Sequence, residues 1–456
     1  MTLNKYLTAI VLLSCLSVDV SIGGDQLKPL MKDFIGINGH FQFKPSLYSQ
    51  TCRLVRNYHN MNWDVGQPGA PITFPMCPNK VDWDKHVYRK WGAQGFEVDL
   101  CAQFGGFGES NKDYTRLWLG QGDWIYKYGY EMARYFGPSG KNRLITSIEI
   151  GNEPGNDFDD ALYQKLFLQM AKGIRKGDPK IKIVTATTRS GLADKYSKSL
   201  EETFSSPSIK SLYDVINVHV YATKPKKKGQ SPWDRSYPED PALDYLKLVD
   251  SVIAFRDQKA PGKEVWITEF GYDSCTAEAM SKREGWAKKL NWTGVNDTQQ
   301  AQYIVRSLLC FAESDINRAY IYFFNDDDKA SVHAASGLTR KFQPKPSFWA
   351  VKHLYETLGE YRLSKAVLKQ KDNLYVYEFK HENSKNLRCW AVWSPTGSDR
   401  KQVITLRNLP GKLLRAESMA LSKDGAAKIN VQSLDANAIR LTVTESPSYL
   451  MFDKKY

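Results

Sequence analysis

The sequence predicts a (β/α)8 barrel followed by a small all-β domain of the sandwich type. Three observations carry that prediction. Eight short apolar runs alternate with segments of helical period, the arithmetic of a barrel. Two of those runs end in a glutamate beside a Pro or Gly turn. Beyond about Gly359 the helices stop, and short strand-like runs between polar turns take over.

The expected barrel strands are Phe34–Gly39, Cys52–Tyr58, Gly95–Cys101, Thr146–Gly151, Lys182–Thr187, Val215–Tyr221, Glu264–Glu269 and Ala319–Phe324. Helical periodicity places helices at Trp83–Trp91, Trp124–Phe136, Asp160–Lys176, Ala242–Arg256, Thr298–Glu313 and Phe348–Leu358. A doubly wound open sheet shows the same alternation. It is disfavoured because no Gly-rich phosphate turn follows the first strand, and because the chemistry spreads over several strand ends. The closing domain is read from Tyr375–Lys380, Cys389–Ser394, Val403–Leu406, Lys428–Val431, Ala438–Val443 and Tyr449–Phe452. It carries no sugar-stacking aromatic triad, so it reads as a buttress rather than a binding module. No internal repeat or low-complexity tract stands out.

The first 24 residues read as a signal peptide. Lys5 supplies the basic region, Leu7 to Leu16 the apolar region, and Ser21-Ile22-Gly23 the small residues for cleavage. The expected organisation is therefore residues 1–24 as leader, 25–359 as barrel and 360–456 as β-sandwich, in a secreted, extracellular protein. No later run approaches the ~20 apolar residues of a membrane span. Six cysteines remain after the leader: Cys52, Cys77, Cys101, Cys275, Cys310 and Cys389. In an oxidising compartment an even number permits disulfides, and about 15 connectivities stay open. No Cys-x-x-Cys or His cluster suggests structural zinc. Asn291-Trp292-Thr293 and Asn296-Asp297-Thr298 are acceptor sequons for glycosylation. Oligomeric state is not legible.

The formal charge is +13. Its Lys and Arg are scattered and no nucleic-acid motif accompanies them, so nucleic acid is not an expected partner. One tight cluster, Lys224-Pro225-Lys226-Lys227-Lys228, reads first as a solvated loop and second as a contact for an anionic glycan, since it follows a strand whose end faces the barrel mouth.

The chemistry concentrates in two places. Ser147-Ile148-Glu149-Ile150-Gly151-Asn152-Glu153-Pro154 is an alternating run that stops at an Asn-Glu-Pro turn, leaving Glu153 at a strand end. Val265-Trp266-Ile267-Thr268-Glu269-Phe270-Gly271 repeats the device with Glu269. Either glutamate alone reads as a solvated strand end. Together, on the fourth and seventh strands of a closed barrel, they face one mouth from opposite walls. Paired carboxylates across a pocket are what glycosidic cleavage needs, and a separation of ~5–5.5 Å selects retention.

These motifs resemble the large clan A of retaining (β/α)8 glycoside hydrolases. Arg56 and His59, in Arg53-Leu54-Val55-Arg56-Asn57-Tyr58-His59, are similar to that clan's early Arg-containing strand. His219-Val220-Tyr221 is similar to its His-x-Tyr element. Gly337-Leu338, Pro344-Lys345-Pro346 and the trailing β domain look like members similar to families 39 and 5. The resemblance implies Glu269 as nucleophile and Glu153 as acid/base, with no metal or organic cofactor. The acid has to keep its proton until the bond breaks, which burial and a neighbouring anion favour. Asn152 is then expected to bond the sugar 2-hydroxyl, Tyr221 to orient Glu269, and Arg56 to keep that carboxylate ionised. His219, His59 and Asn57 are sugar contacts or core residues. Glu149 reads as a buried structural partner. Where many clan members carry a Trp platform at the eighth strand, this chain has Tyr320-Ile321-Tyr322-Phe323-Phe324, making Phe324 or Phe323 the expected platform. Trp63, Trp118 and Trp124 read as core first and cleft walls second. The insertions Asn60–Val81 and Ser274–Asn296 are expected to frame the cleft. The partner is thus a β-linked carbohydrate. The alternative is a catalytically silent glycan-binding barrel, which the retention of both carboxylates disfavours.

Overall fold

The computed structural model describes residues 27–40, 43–75, 81–107, 114–154, 159–187, 193–225, 233–370 and 373–454. The expected leader, Cys15, Cys77 and Lys226 to Lys228 lie outside them. Eight parallel strands close into one barrel in chain order. They are β1 (Ile35–Gly39), β2 (Leu54–Asn60), β3 (Glu97–Gln103), β4 (Ser147–Ile150), β5 (Lys182–Thr185), β6 (Val215–His219), β7 (Glu264–Phe270) and β8 (Arg318–Ile321). β1 pairs with β8 to complete the circle. Strands buried on both faces read as near-continuous apolar runs, which is why all eight were visible as such.

The outer ring holds the expected helices as Gly122–Phe136, Asp160–Gly177, Tyr245–Lys259, Asp297–Glu313 and Pro346–Leu358. The Trp83 segment is a π-helix, Trp83–Tyr88, running into an α-turn, Arg89–Gly92. A further helix, Ala193–Phe204, follows β5 and was not anticipated. Its buried Tyr196, Leu200 and Phe204 recur every fourth residue, a stripe too narrow to stand out among its charges.

Inside the barrel, side chains alternate inward and form layers. Leu54, Val184, Val215, Trp266 and Tyr320 form the lowest apolar plug. A Cβ on Gly36 would stand 2.4 Å from the Tyr320 ring, so glycine there admits the tyrosine. Arg318 lies over the Trp266 ring at 4.6 Å and pairs with Glu97 at 2.8 Å, sealing the base. The layer above is polar and leads to the mouth.

The C-terminal part forms a five-stranded and a three-stranded antiparallel sheet. Leu374, Val376, Trp390 and Val392 of one meet Leu406, Ile439, Leu441 and Val443 of the other in a second core. Two strands, Tyr361–Gln370 and Lys412–Ser418, escaped the sequence reading. Both are sheet edges with bulged registers, so the two-residue alternation is broken. The strand expected at Lys428–Val431 instead runs Val431–Asp435. Arg306, fully buried on the barrel's Asp297–Glu313 helix, joins the two parts. It donates to Glu239 at 3.0 and 2.5 Å and to Glu445 at 2.5 Å, while Trp393 donates its indole N–H to Glu239 at 2.6 Å.

The disulfide expectation is corrected. Cys52, Cys101, Cys275, Cys310 and Cys389 are free thiols. Four are buried, small apolar packing groups rather than reactive ones, and burial pushes the Cys52 thiol, and that of the half-buried Cys275, up to about 12. Among the described residues, no helix is long and apolar enough to cross a membrane.

Candidate active site

Alternation along each strand decides what reaches the mouth. On β4, Ser147 and Glu149 point inward while Ile148 and Ile150 pack outward. Gly151 then adopts φ +86°, a left-handed turn that glycine accommodates, and it is packed closely by Phe104 and Tyr163. The turn delivers Asn152 and Glu153 to the rim. On β7 the same alternation directs Trp266 and Thr268 inward and would turn Glu269 outward. The pairing to β6 jumps from Val218↔Ile267 to His219↔Glu269, a bulge that directs Glu269 into the mouth as well.

The two glutamates converge. Glu153, His219 and Glu269 each offer an atom within 4.8 Å of the others. His219 Nδ1 stands 3.0 Å from Glu153 Oε1 and 3.6 Å from Glu269 Oε2.

Arg56, with no exposed surface, organises the site from below. Its Nε and Nη2 each donate to Glu149 at 2.7 Å, Nη2 also to Asn152 Oδ1 at 2.7 Å, and Nη1 to Asn38 Oδ1 and Glu269 Oε1 at 2.8 Å. Because the Asn152 oxygen is committed to Arg56, its NH2 group is the part presented to a ligand. Glu269 also accepts from Tyr58 at 2.5 Å and Tyr221 at 2.9 Å. Burial pushes the Glu269 carboxyl up. The neighbouring His219, the Arg56 guanidinium and the two tyrosine bonds outweigh it and hold the group down at about 2.

A hydrogen-bond chain sets the imidazole. Asn217 gives its NH2 to Glu149 at 3.0 Å, so its oxygen faces Thr268 and accepts that hydroxyl at 2.6 Å. With its proton spent, Thr268 Oγ1 accepts from His219 Nε2–H at 3.0 Å. In the neutral ring, Nδ1 is then an acceptor aimed at Glu153, suited to a carboxyl that carries a proton.

The structure thus brings together Glu153, Glu269, Asn152, Arg56, His219 and Tyr221. It separates two other candidates from them. His59 is buried in the wall, bonded to Asp64 at 2.6 Å and Tyr88 at 2.7 Å and stacked on Trp83 at 4.0 Å. It follows Tyr58 by one residue and so takes the outward side of β2. Phe324 packs among Phe43 and Tyr48, at 5.6 and 5.8 Å, in the core. The aromatic ring of this segment that senses both glutamates is Tyr322, half-buried and backed by Phe323 at 4.8 Å. Asn57 is buried and bonds the Tyr58 carbonyl. Trp118 lies in the core, whereas Trp63, in the helical turn Met61–Asp64, and Trp124, in the first turn of the Gly122–Phe136 helix, are half-buried. Tyr58 and Tyr322 were missed, although their i+2 spacing from Arg56 and Tyr320 marked them as inward.

No family model and no curated protein matches the sequence. Solved structures match almost end to end. A family 39 glycoside hydrolase from the gut symbiont Bacteroides cellulosilyticus WH2 is 16% identical, with 93% of this chain and 81% of that one covered at a TM-score of 0.64. A GH30 endoxylanase from Clostridium papyrosolvens C71 is 13% identical, with 94% and 98% covered at 0.58. A family 51 α-L-arabinofuranosidase from Bifidobacterium longum is 11% identical, with 93% and 97% covered at 0.59. What this chain shares with these structures is the fold, here a (β/α)8 barrel followed by antiparallel sheets.

Proposed function

We propose that the protein is a secreted, retaining β-glycosidase that cleaves O-glycosidic bonds of a polysaccharide or its oligosaccharides. The observation that carries this reading is the approach of Glu153 and Glu269 within 4.8 Å, on the short side of the gap that separates retention from inversion. Glu269, ionised and gripped by three donors, attacks the anomeric carbon and forms a glycosyl ester. Glu153 gives its proton to the departing oxygen as that bond breaks. Water then enters, Glu153 takes its proton, and the ester is cleaved with the original anomeric configuration restored. Esterification removes the charge on Glu269, which favours Glu153 as a base in the second step. Asn152, presenting its NH2, holds the 2-hydroxyl in this reading. The carbohydrate-cleaving neighbours support the substrate class, and the N-terminal leader supports secretion.

The test is a panel of β-linked polysaccharides and aryl β-glycosides, with the first-released anomer read by proton NMR. Release of the β-anomer first supports double displacement. Release of the α-anomer first overturns it, and glycan binding without turnover on any substrate favours a silent lectin.

A further inference from the structure

Beside the nucleophile stands a charge that double displacement does not use. Arg235 is only 4% exposed. It is fixed where the chain leaves and re-enters the end of β6. Thr223 pairs antiparallel with it, Lys224 N–H donates to the Asp234 carbonyl at 2.8 Å, and Ser236 N–H donates to the Ala222 carbonyl at 2.9 Å. The guanidinium lies 4.9 Å from the ring of Tyr221, whose hydroxyl holds Glu269. Its Nη1 donates to Thr223 Oγ1, and its Nε is buried without a partner. The fields of Asp234 and Asp273 reach it, yet neither pairs with it, and no carboxylate among the described residues does.

His333 flanks the same tyrosine. Its ring centre is 4.7 Å from that of Tyr221 and 5.6 Å from that of Tyr322, and its Nδ1 is also buried without a partner. The charges of Arg235, Glu269, Glu153 and His219 all reach it.

A buried guanidinium without a counter-ion is costly, and the hydroxyls of a neutral sugar recover little of that cost. A carboxylate or sulfate ester recovers it through charge-assisted hydrogen bonds, and guanidinium geometry suits both. We propose that Arg235, assisted by His333, is an anion subsite, and that the glycan cleaved here bears a carboxylate or sulfate group on or next to the ring held by Glu153 and Glu269. The inference rests on the glycosidase reading of that site. Lys224 stands on the same ladder as Arg235, and a chain of formal net charge +13 attracts polyanions.

The experiment compares kcat/KM of the full chain and of Arg235→Gln on matched aryl β-glycosides: glucoside, glucuronide and 6-O-sulfoglucoside, and galactoside with galacturonide. The native protein is expected to favour one anionic substrate over its neutral match at least about 10-fold, and Arg235→Gln to lower that ratio about 10- to 100-fold. The carboxylate and sulfate arms identify the anion. Equal turnover of neutral and anionic members, or a ratio that Arg235→Gln leaves unchanged, overturns the proposal. If the variant does not fold, inhibition of the native protein decides: free uronates or sulfated sugars acting at no lower concentration than neutral sugars overturn it. If no glycoside is turned over, the glycosidase reading fails. Calorimetry with uronate-bearing, sulfated and neutral oligosaccharides then judges the subsite alone, with selective anion binding supporting it and indifference overturning it.

Discussion

Arg56 and Glu269 meet at 2.8 Å, and the face of the guanidinium that does not hold the nucleophile is taken by Glu149 at 2.7 Å. One fully buried cation thus serves two buried carboxylates. Replacing it with Arg56→Met leaves both without their counter-charge, and a loss of about 3–5 kcal/mol is expected. Urea denaturation with matched m-values measures it. Arg56→Lys cannot reach the same four acceptors and should fall between the two. A Met variant as stable as the native protein would deny Arg56 this role.

Removing the nucleophile tests the direction of attack. Glu269→Ala should lower kcat by about 10³-fold or more while the fold survives. Azide added to that variant occupies the vacated side, so the product should be the α-glycosyl azide. Glu153→Ala with azide should give the β-azide, and its loss of rate should be largest on poor leaving groups. The same azide anomer from both variants would contradict opposed carboxylates.

The ionisation of Glu269 gives a pH prediction. Its carboxyl is held at about 2, below the ordinary 4.5. The stability that this depression contributes is therefore present above about 4.5 and is lost as pH falls through 2. The acid limb of kcat/KM should accordingly lie below the ordinary carboxylate range. Tyr58→Phe and Tyr221→Phe each remove one donor to the charged form, so each should move that limb upward and reduce kcat about 10-fold. A limb unmoved by either variant would mean that the tyrosines do not hold the charge.

Thr268 is a positioning residue acting through His219. Thr268→Val keeps the shape but strips Nε2–H of its acceptor, freeing the ring to change tautomer. Rates on unactivated substrates should fall about 10-fold, those on activated aryl glycosides much less, and the basic limb of the pH profile should move. Equal losses on both substrate classes would indicate a structural effect alone.

The free cysteines make a prediction of their own. Because Cys52, Cys101, Cys275, Cys310 and Cys389 are unpaired, the melting temperature should be the same with and without dithiothreitol. Titration of the unfolded chain under non-reducing conditions should find these five thiols reactive. A clear fall in melting temperature with reductant would show that a bridge supports the fold.

Several residues were legible because their signals are local. A strand buried on both sides needs an unbroken apolar run, so all eight barrel strands announced themselves. A run ending in Asn152-Glu153-Pro154 or Glu269-Phe270-Gly271 marks a carboxylate at a strand end, and alternation separates Glu149 from Ile148 and Ile150. The same alternation, applied to β2, would have recovered Tyr58 and turned His59 outward. Edge strands such as Lys412–Ser418 were hidden because their bulges break the period on which the reading depends.

By itself, the amino-acid order determined the barrel, the trailing sheets and the two strand ends that bear acid, because hydrophobic period and turn chemistry are written within a few neighbouring residues. Only tertiary structure decided that a bulge in β7 turns Glu269 inward, that Asn217 and Thr268 choose the His219 tautomer, that Tyr322 rather than Phe324 faces the glutamates, and that Arg235 stands beside Tyr221 with no carboxylate paired to it among the described residues. Each of these depends on which distant side chains barrel closure brings within a hydrogen bond's length, and no local period encodes that.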